Sequence, residues 1–338
     1  MLGEAKIVRL VDLKPGPQAD CFVLLSGRDR ATTRDGKPYY RVTFRDSGRS
    51  ATAMVWSDSP WFEACDTTWK IGTCYKVRCR LVESSYGPQL DLEKIRAAEE
   101  ADRVDGFDEA SLVKSTRFDI EAMYTELRML ALERIDCEPL RRLVVGILDE
   151  HADAIKRGSA ARKNHHAYAG GYLEHVLSVT RNALFLADKY AADYPDMQPP
   201  LSKSLVIAGA ILHDIGKLVE LEGPLAGMRR TAEGELIGHI VLGRDLVRDR
   251  GRTVEGLDRE TLLRLEHIIL AHQNLPEWGS PVEPRTPEAL LVYFADDVDA
   301  KFHMLAAALE GGAAADEEFT SRDNPMRRSV FRGLRPKA

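Results

Sequence analysis

Four separated stretches of the chain carry the residue types needed to hold two divalent metals. They are His175, the His213-Asp214 doublet in HDIGK, a histidine group at His239, His267 and His272, and Asp296. Imidazole combined with carboxylate suits Mn, Fe, Co, Ni or Zn rather than Ca or Mg alone. A pair of such ions is a standard device for hydrolysing phosphoesters. The residue types therefore point to a metal-dependent phosphohydrolase.

The doublet is the sharpest signal. It sits in AGAILHDIGKL, where a buried carboxylate without a partner would be costly. With two oxygens, Asp214 is the residue best suited to bridge two ions. His175 in GGYLEHVLSV is expected on the same ion as His213. In VYFADDVDAKF, Asp296 is preferred over Asp297, because Asp296 and Asp299 share a helix face with Tyr293; Asp299 and Lys301 are left to the solvent side. The second ion is expected on Asp214, His239, His267 and His272. His267 and His272 are about 140° apart on an ideal helix, so both ligate only where the helix end unwinds. The alternative for His267 is a hydrogen bond to a ligand or the substrate. Lys217, three residues after Asp214, can reach a phosphate oxygen and neutralise developing charge. His165 and His166, in KNHHAYAGGYLEH, are expected to contact the phosphate or the leaving oxygen, as histidine suits proton transfer.

These residues need elements to position them. Residues 1–97 read as short strands. In PYYRVTFRD, Tyr40, Val42 and Phe44 alternate with Tyr39, Arg41, Thr43 and Arg45, and RSATAMVW returns after the turn DSG. Five strands with a short element between the third and fourth suggest a small OB-like β-barrel, with an SH3-like barrel as the alternative. Residues 98–160 read as helical connector and packing helices, with Phe118, Met123, Leu127, Leu130, Leu132 and Ile135 on one apolar stripe. Residues 161–310 are nearly all helix, with starts marked by Ser202 and by Thr286-Pro287. Residues 311–338 form a basic tail expected to be flexible. The fold class expected is a two-part α+β chain, an OB-like β-barrel followed by an all-α domain.

The 338 residues suffice for two or three domains, and the net charge of -6 argues against a large non-specific nucleic-acid footprint. A local groove remains compatible with that balance. No apolar run approaches a membrane helix, and MLGEAKIVRLVD lacks the apolar core of a signal peptide. The five cysteines never form CxxC, which suits reduced thiols and a cytoplasmic location. On the outward strand face, Tyr39 and Trp56 can stack bases while Arg41 and Arg45 meet phosphates, and Tyr86 can stack a further base.

The ordered set HHAYAGGYLEH (165–175), AILHDIGK (210–217), GHIVLG (238–243), HIILAHQ (267–273), EWGSPVEPRTPEA (277–289) and DDVDAK (296–301) resembles the HD superfamily of metal-dependent phosphohydrolases, and within it the YhaM-type 3'-5' exoribonucleases. The resemblance implies an OB-fold module fused to a helical HD domain that requires divalent cations, often Mn or Co. It implies His175, His213, Asp214 and Asp296 as ligands, with His239 and the His267/His272 region on the other side. Gln273 stands where a second consecutive histidine is common in that family, and Tyr293 where a histidine is frequent. The expected activity is 3'-to-5' hydrolysis of single-stranded RNA, with single-stranded DNA as a further substrate, to nucleoside 5'-monophosphates. The alternatives are an HD-type nucleotide or cyclic-dinucleotide phosphohydrolase and a non-enzymatic nucleic-acid-binding protein.

Overall fold

The computed structural model describes residues 6–84, 87–113, 115–160, 168–223, 228–310 and 317–334. The chain divides into two compact units. One comprises Met1–Ser115 with Gly223–Met228, and the other Thr116–Glu222 with Arg229–Ala338. The segment read as a connector is therefore shared: the part up to Ser115 belongs to the first unit and the rest to the second.

The first unit holds β1 (Gln18–Thr32), β2 (Pro38–Arg45), β3 (Ser50–Trp56), the short helix α1 (Phe62–Thr67), β4 (Cys74–Ser84) and β5 (Gly87–Ala97). The period-two pattern decides which side chains face inward. Tyr40, Val42 and Phe44 of β2 are buried with Ala51, Ala53 and Val55 of β3. Asp46 shapes the turn between these strands. Its Oδ1 accepts from the backbone N–H groups of Gly48 and Arg49 at 2.8 and 2.7 Å, and its Oδ2 accepts from that of Val11 at 2.8 Å.

The strand order is β1-β2-β3-β5-β4. Among the described residues, β1–β2, β2–β3, β1–β4 and β4–β5 are antiparallel ladders. The meeting of β3 with β5 is parallel and consists of one residue pair, Thr52↔Gln89. The expected OB-like β-barrel is corrected on this point. A single bridge links these two edges, so the unit is a mixed five-stranded β domain rather than a continuously laddered barrel. Alternation specifies the buried face of each strand, and that requirement is met whether or not a full ladder forms at the last seam.

The second unit is helical: α2 (Ile120–Arg134), α3 (Glu138–Glu150), α4 (Ala152–Arg157), α5 (Gly171–Asp193), α6 (Lys203–Leu212) and α7 (Lys217–Glu220). Two short strands, β6 (Leu221–Glu222) and β7 (Arg229–Arg230), pair with each other. They are followed by α8 (Ala232–Leu236), α9 (His239–Gly251), α10 (Arg259–Ala271) and α11 (Pro287–Glu310). Of the stripe expected before α3, Met123, Leu127 and Ile135 are buried, whereas Phe118 and Leu132 are exposed. Among residues 317–334, Phe319 and Phe331 form an isolated antiparallel bridge, and Thr320 and Val330 are hydrogen-bonded. Among the described residues no helix is long and apolar enough to cross a membrane.

Helix α6 is the centre of this unit, with every residue from Leu205 to Leu212 buried. Each large aliphatic side chain buried there contributes roughly 1.5–3 kcal/mol. That is enough to hold the polar residues at its C-terminal end in place. Ser202 caps its start by accepting from Leu205 N–H. The carboxylate of Glu288, fully buried at the start of α11, accepts from Ser202 N–H at 2.9 Å and from the Arg264 guanidinium at 2.5 Å. It ties the starts of α6 and α11 to α10. Glu288→Ala leaves the mostly covered Arg264 with only the longer, exposed pair to Glu260 at 3.5 Å, and the expected loss is on the order of 3 kcal/mol. Urea unfolding measures it, and a stability within experimental error of wild type would remove Glu288 from this role.

Candidate metal centre

The His213-Asp214 doublet stands where α6 ends. Its helix stops at Leu212, and residues 213–216 make turns before α7. His213 Nδ1–H donates to the carbonyl of Ala210 at 2.8 Å, satisfying a carbonyl that the helix end leaves open. His272 repeats this arrangement. It follows the last residue of α10, and its Nδ1–H donates to the carbonyl of Ile269 at 2.7 Å. The other two histidines are gripped by carboxylates. His175 Nδ1–H donates to Asp299 Oδ2 at 2.7 Å, and Asp299 in turn accepts from the Ser178 hydroxyl. His239 Nδ1 lies 3.2 Å from Glu220 Oε2.

In all four rings the Nδ1 partner is an oxygen that only accepts. That places a proton on Nδ1 and turns Nε2 of each ring to the centre. The four Nε2 atoms converge on two groups. His175, His213 and Asp296 form one, and Asp214, His239 and His272 the other; within each, the ligand atoms lie within 4.8 Å of one another. Asp214 lies between them. Its Oδ2 is 3.5 Å from His175 Nε2 and 3.4 Å from His213 Nε2. Its Oδ1 is 3.5 Å from His239 Nε2 and 3.6 Å from His272 Nε2. Asp296 Oδ1 is 3.2 Å from His175 Nε2, while Asp297 turns away to Lys301.

The electrostatics favour a cation. Burial opposes the charge on Asp214, yet Lys217 and the His213 imidazole outweigh it and hold the carboxyl well below its usual range. For Asp296, burial is likewise overcome, first by the hydrogen bond from His175. Burial also opposes a charged His175, but hydrogen bonds to Asp214, Asp296 and Asp299 raise its pKa well above the ordinary value. The negative field that would hold a proton there also attracts a metal. Asp214 Oδ1 and His272 Nε2 are buried, face each other and have no hydrogen-bond partner among the described residues. Unpaired buried polar atoms are rare because desolvating them costs about 1–3 kcal/mol. The donor set of imidazoles and carboxylates fits Mn, Fe, Co, Ni or Zn.

The remaining expectations divide. His267 is not in either group: its Nε2 accepts from the backbone N–H of Arg285 at 2.9 Å, and burial with the nearby Arg285 charge lowers its pKa. It holds the chain that leads into α11. Lys217 is buried and donates to Asp214 Oδ2 at 2.5 Å, so it neutralises that carboxylate directly. His165, His166 and Tyr86 lie outside the described residues. Asp299 and Glu220 were not anticipated as supports. The spacing of Asp299 three residues after Asp296, on the face turned to His175, was the signal available. In the β unit, Tyr39 pairs with Trp56 across β2 and β3 with ring centroids 5.1 Å apart, and Arg41 pairs with Met54 beside them. Trp56 is 46% exposed. Arg45 lies on the same alternation, but its Nε is buried without a hydrogen-bond partner among the described residues, and burial lowers its pKa.

A family model described as the HD domain matches residues 172–301. The second OB-fold domain of replication protein A from Methanococcus maripaludis aligns with 14% sequence identity over 28% of this chain and 96% of that one, with a TM-score of 0.22. A likeness at that score carries no structural argument. The HD match spans the helices that supply all six residues of the two groups. Residues 172–301 are thus an HD-type domain whose paired His/Asp clusters have the makeup of a metal-dependent phosphohydrolase centre.

Proposed function

We propose that the chain is a divalent-metal-dependent 3'-5' exoribonuclease. It hydrolyses phosphodiester bonds of single-stranded RNA, and of single-stranded DNA, to nucleoside 5'-monophosphates. The observation that carries the hydrolytic part is Asp214, whose two oxygens face two separate imidazole groups. His175, His213, Asp214 and Asp296 would hold one ion, and Asp214, His239 and His272 the other, with Mn favoured and Co, Ni, Fe or Zn suited to the same donors. Two such ions supply activation of water and charge stabilisation at phosphorus. The chain's own residues fix that geometry. Ala210 O and Ile269 O orient two of the rings, and Asp299 and Glu220 orient the other two. Lys217 balances the charge of Asp214. The polynucleotide substrate is supported by the outward Tyr39–Trp56 pair with Arg41, a surface suited to stacking bases beside a phosphate-binding cation. His165 and His166 belong to this reading as phosphate contacts.

The test is incubation of the purified chain with Mn and 5'-labelled single-stranded RNA. A ladder shortening from the 3' end, with 5'-monophosphates as products, is expected. Release of phosphate or triphosphate from free nucleotides, or linearisation of a cyclic dinucleotide, with RNA left intact would move the activity to those substrates. RNA binding without products or metal uptake would make the chain a binding protein. The aromatic pair has its own test. Tyr39→Ala and Trp56→Ala are expected to weaken binding of long RNA by roughly 1–3 kcal/mol each, leaving metal content unchanged. Equal losses on a dinucleotide and a long RNA would remove these rings from substrate binding.

A further inference from the structure

The second group is smaller than the first in protein donors. His175, His213 and Asp296 share Asp214 with it, so the first group has four donors, whereas His239 and His272 with Asp214 provide three. Gln273 stands at the remaining side. Its terminal amide nitrogen is placed 3.4 Å from His239 Nε2, the ring atom that faces the group. An ion about 2.1 Å from each donor sets neighbouring donors of a tetrahedron about 3.4 Å apart. The other edges of the group, 3.5 Å from His239 to Asp214 and 3.6 Å from His272 to Asp214, have the same length. The amide end of Gln273 thus stands one donor spacing from His239.

The backbone holds it there. α10 ends at Ala271, His272 is its cap, and Asn274 takes a left-handed φ of 66° that turns the chain away. Gln273 N–H donates to Ser280 Oγ at 3.0 Å, and Gln273 C=O accepts from Leu275 N–H at 2.8 Å. With the main chain pinned on both sides, turning the amide lets the side chain answer the ring without moving the backbone. The oxygen and nitrogen of a carboxamide exchange places by a half-turn. A lone pair on His239 Nε2 cannot accept from an amide N–H and ligate an ion at once. When the ring ligates, the amide must turn and present its oxygen.

We propose that Gln273 Oε1 completes the second metal site, making it the weaker and more readily exchanged of two unequal sites. The inference rests on the reading of the two groups as a metal centre. A neutral carboxamide oxygen is a poorer donor than imidazole or carboxylate for a transition ion. Unequal occupancy follows, with the first site filling at lower metal concentration.

The test uses the full chain stripped with chelator and titrated with Co²⁺, followed by calorimetry and by visible absorption. The wild type is expected to show two classes of site. Gln273→Ala is expected to weaken the lower-affinity class about 10- to 100-fold and leave the tighter class unchanged. Gln273→Glu and Gln273→His, which restore a donor, are expected to tighten that class and alter its absorption band. A purely structural role for Gln273 would not move the spectrum of one site alone. Two sites in the wild type with isotherms and spectra unchanged in all three variants would overturn this inference and spare the metal-centre reading. No Co²⁺ uptake by the wild type would overturn both.

Discussion

Asp214→Ala is expected to reduce metal content from two ions to at most one and to slow RNA hydrolysis on the order of 10³-fold, about 4 kcal/mol of barrier. The reason is geometric. Among the described residues no other side chain sends one oxygen to His175 and His213 and the other to His239 and His272. The substitution also strands Lys217, a buried ammonium whose partner is the carboxylate being removed. An unpaired buried charge can cost about 3–5 kcal/mol, so inactivity of this variant alone could reflect unfolding. Asp214→Asn keeps the volume and an oxygen acceptor for Lys217 but loses the negative charge. Its helical circular dichroism should match wild type while metal binding and hydrolysis fall. Full hydrolysis by a folded Asp214→Asn chain, with both ions bound, would remove Asp214 from the centre of the site.

Gly216→Ala is expected to do almost as much damage without touching a donor atom. Gly216 has right-handed helical angles, φ -65° and ψ -17°, so its conformation suits alanine. Helix propensity alone would then favour the change by roughly 0.8–1 kcal/mol. The packing says the opposite. A Cβ would lie 2.0 Å from the carbonyl oxygen of His239 and 2.5 Å from the backbone nitrogen of Gly243. Both obstacles are main chain of α9 and cannot rotate aside. Relief requires moving α9, and His239 is its first residue. Overpacking typically costs 1–3 kcal/mol, which outweighs the propensity gain. The variant should melt lower than wild type and lose the ion on the His239 side first, while His175, His213 and Asp296 still bind one. A variant at least as stable as wild type that keeps both ions would show that the close approach of α7 and α9 does not exist in solution.

Much of the site was legible before any coordinates. His213-Asp214 could be singled out because an apolar helix does not bury a carboxylate without a counter-charge. Asp296 could be separated from Asp297 by helical periodicity, and the structure turns Asp296 to His175 while Asp297 meets Lys301. The hairpin of β2 and β3 followed from period-two alternation. The residues that failed did so for identifiable reasons. His267 has a ligand's chemistry, but it precedes the end of α10 and its ring serves Arg285. Asp299 carried only the weak mark of its spacing from Asp296, which reads equally well as a solvated face, and Glu220 joins His239 from a separate element. The seam between β3 and β5 involves strands with no sequence adjacency, and their alternation is the same whether they meet in a ladder or at Thr52↔Gln89 alone.

The sequence by itself determined which residue types are available and which face of each helix or strand is apolar, because those are properties of short stretches with fixed periods. It thereby marked the His213-Asp214 doublet as lying in an apolar, buried helix. Only the tertiary structure decided which oxygen of Asp214 faces which imidazole group, which acceptor holds each Nδ1, and that Gln273 rather than His267 stands beside His239. Those relations join α5, α6, α9, α10 and α11 across long separations in the chain, and they depend on differences of an ångström or two in helix packing that no local pattern encodes.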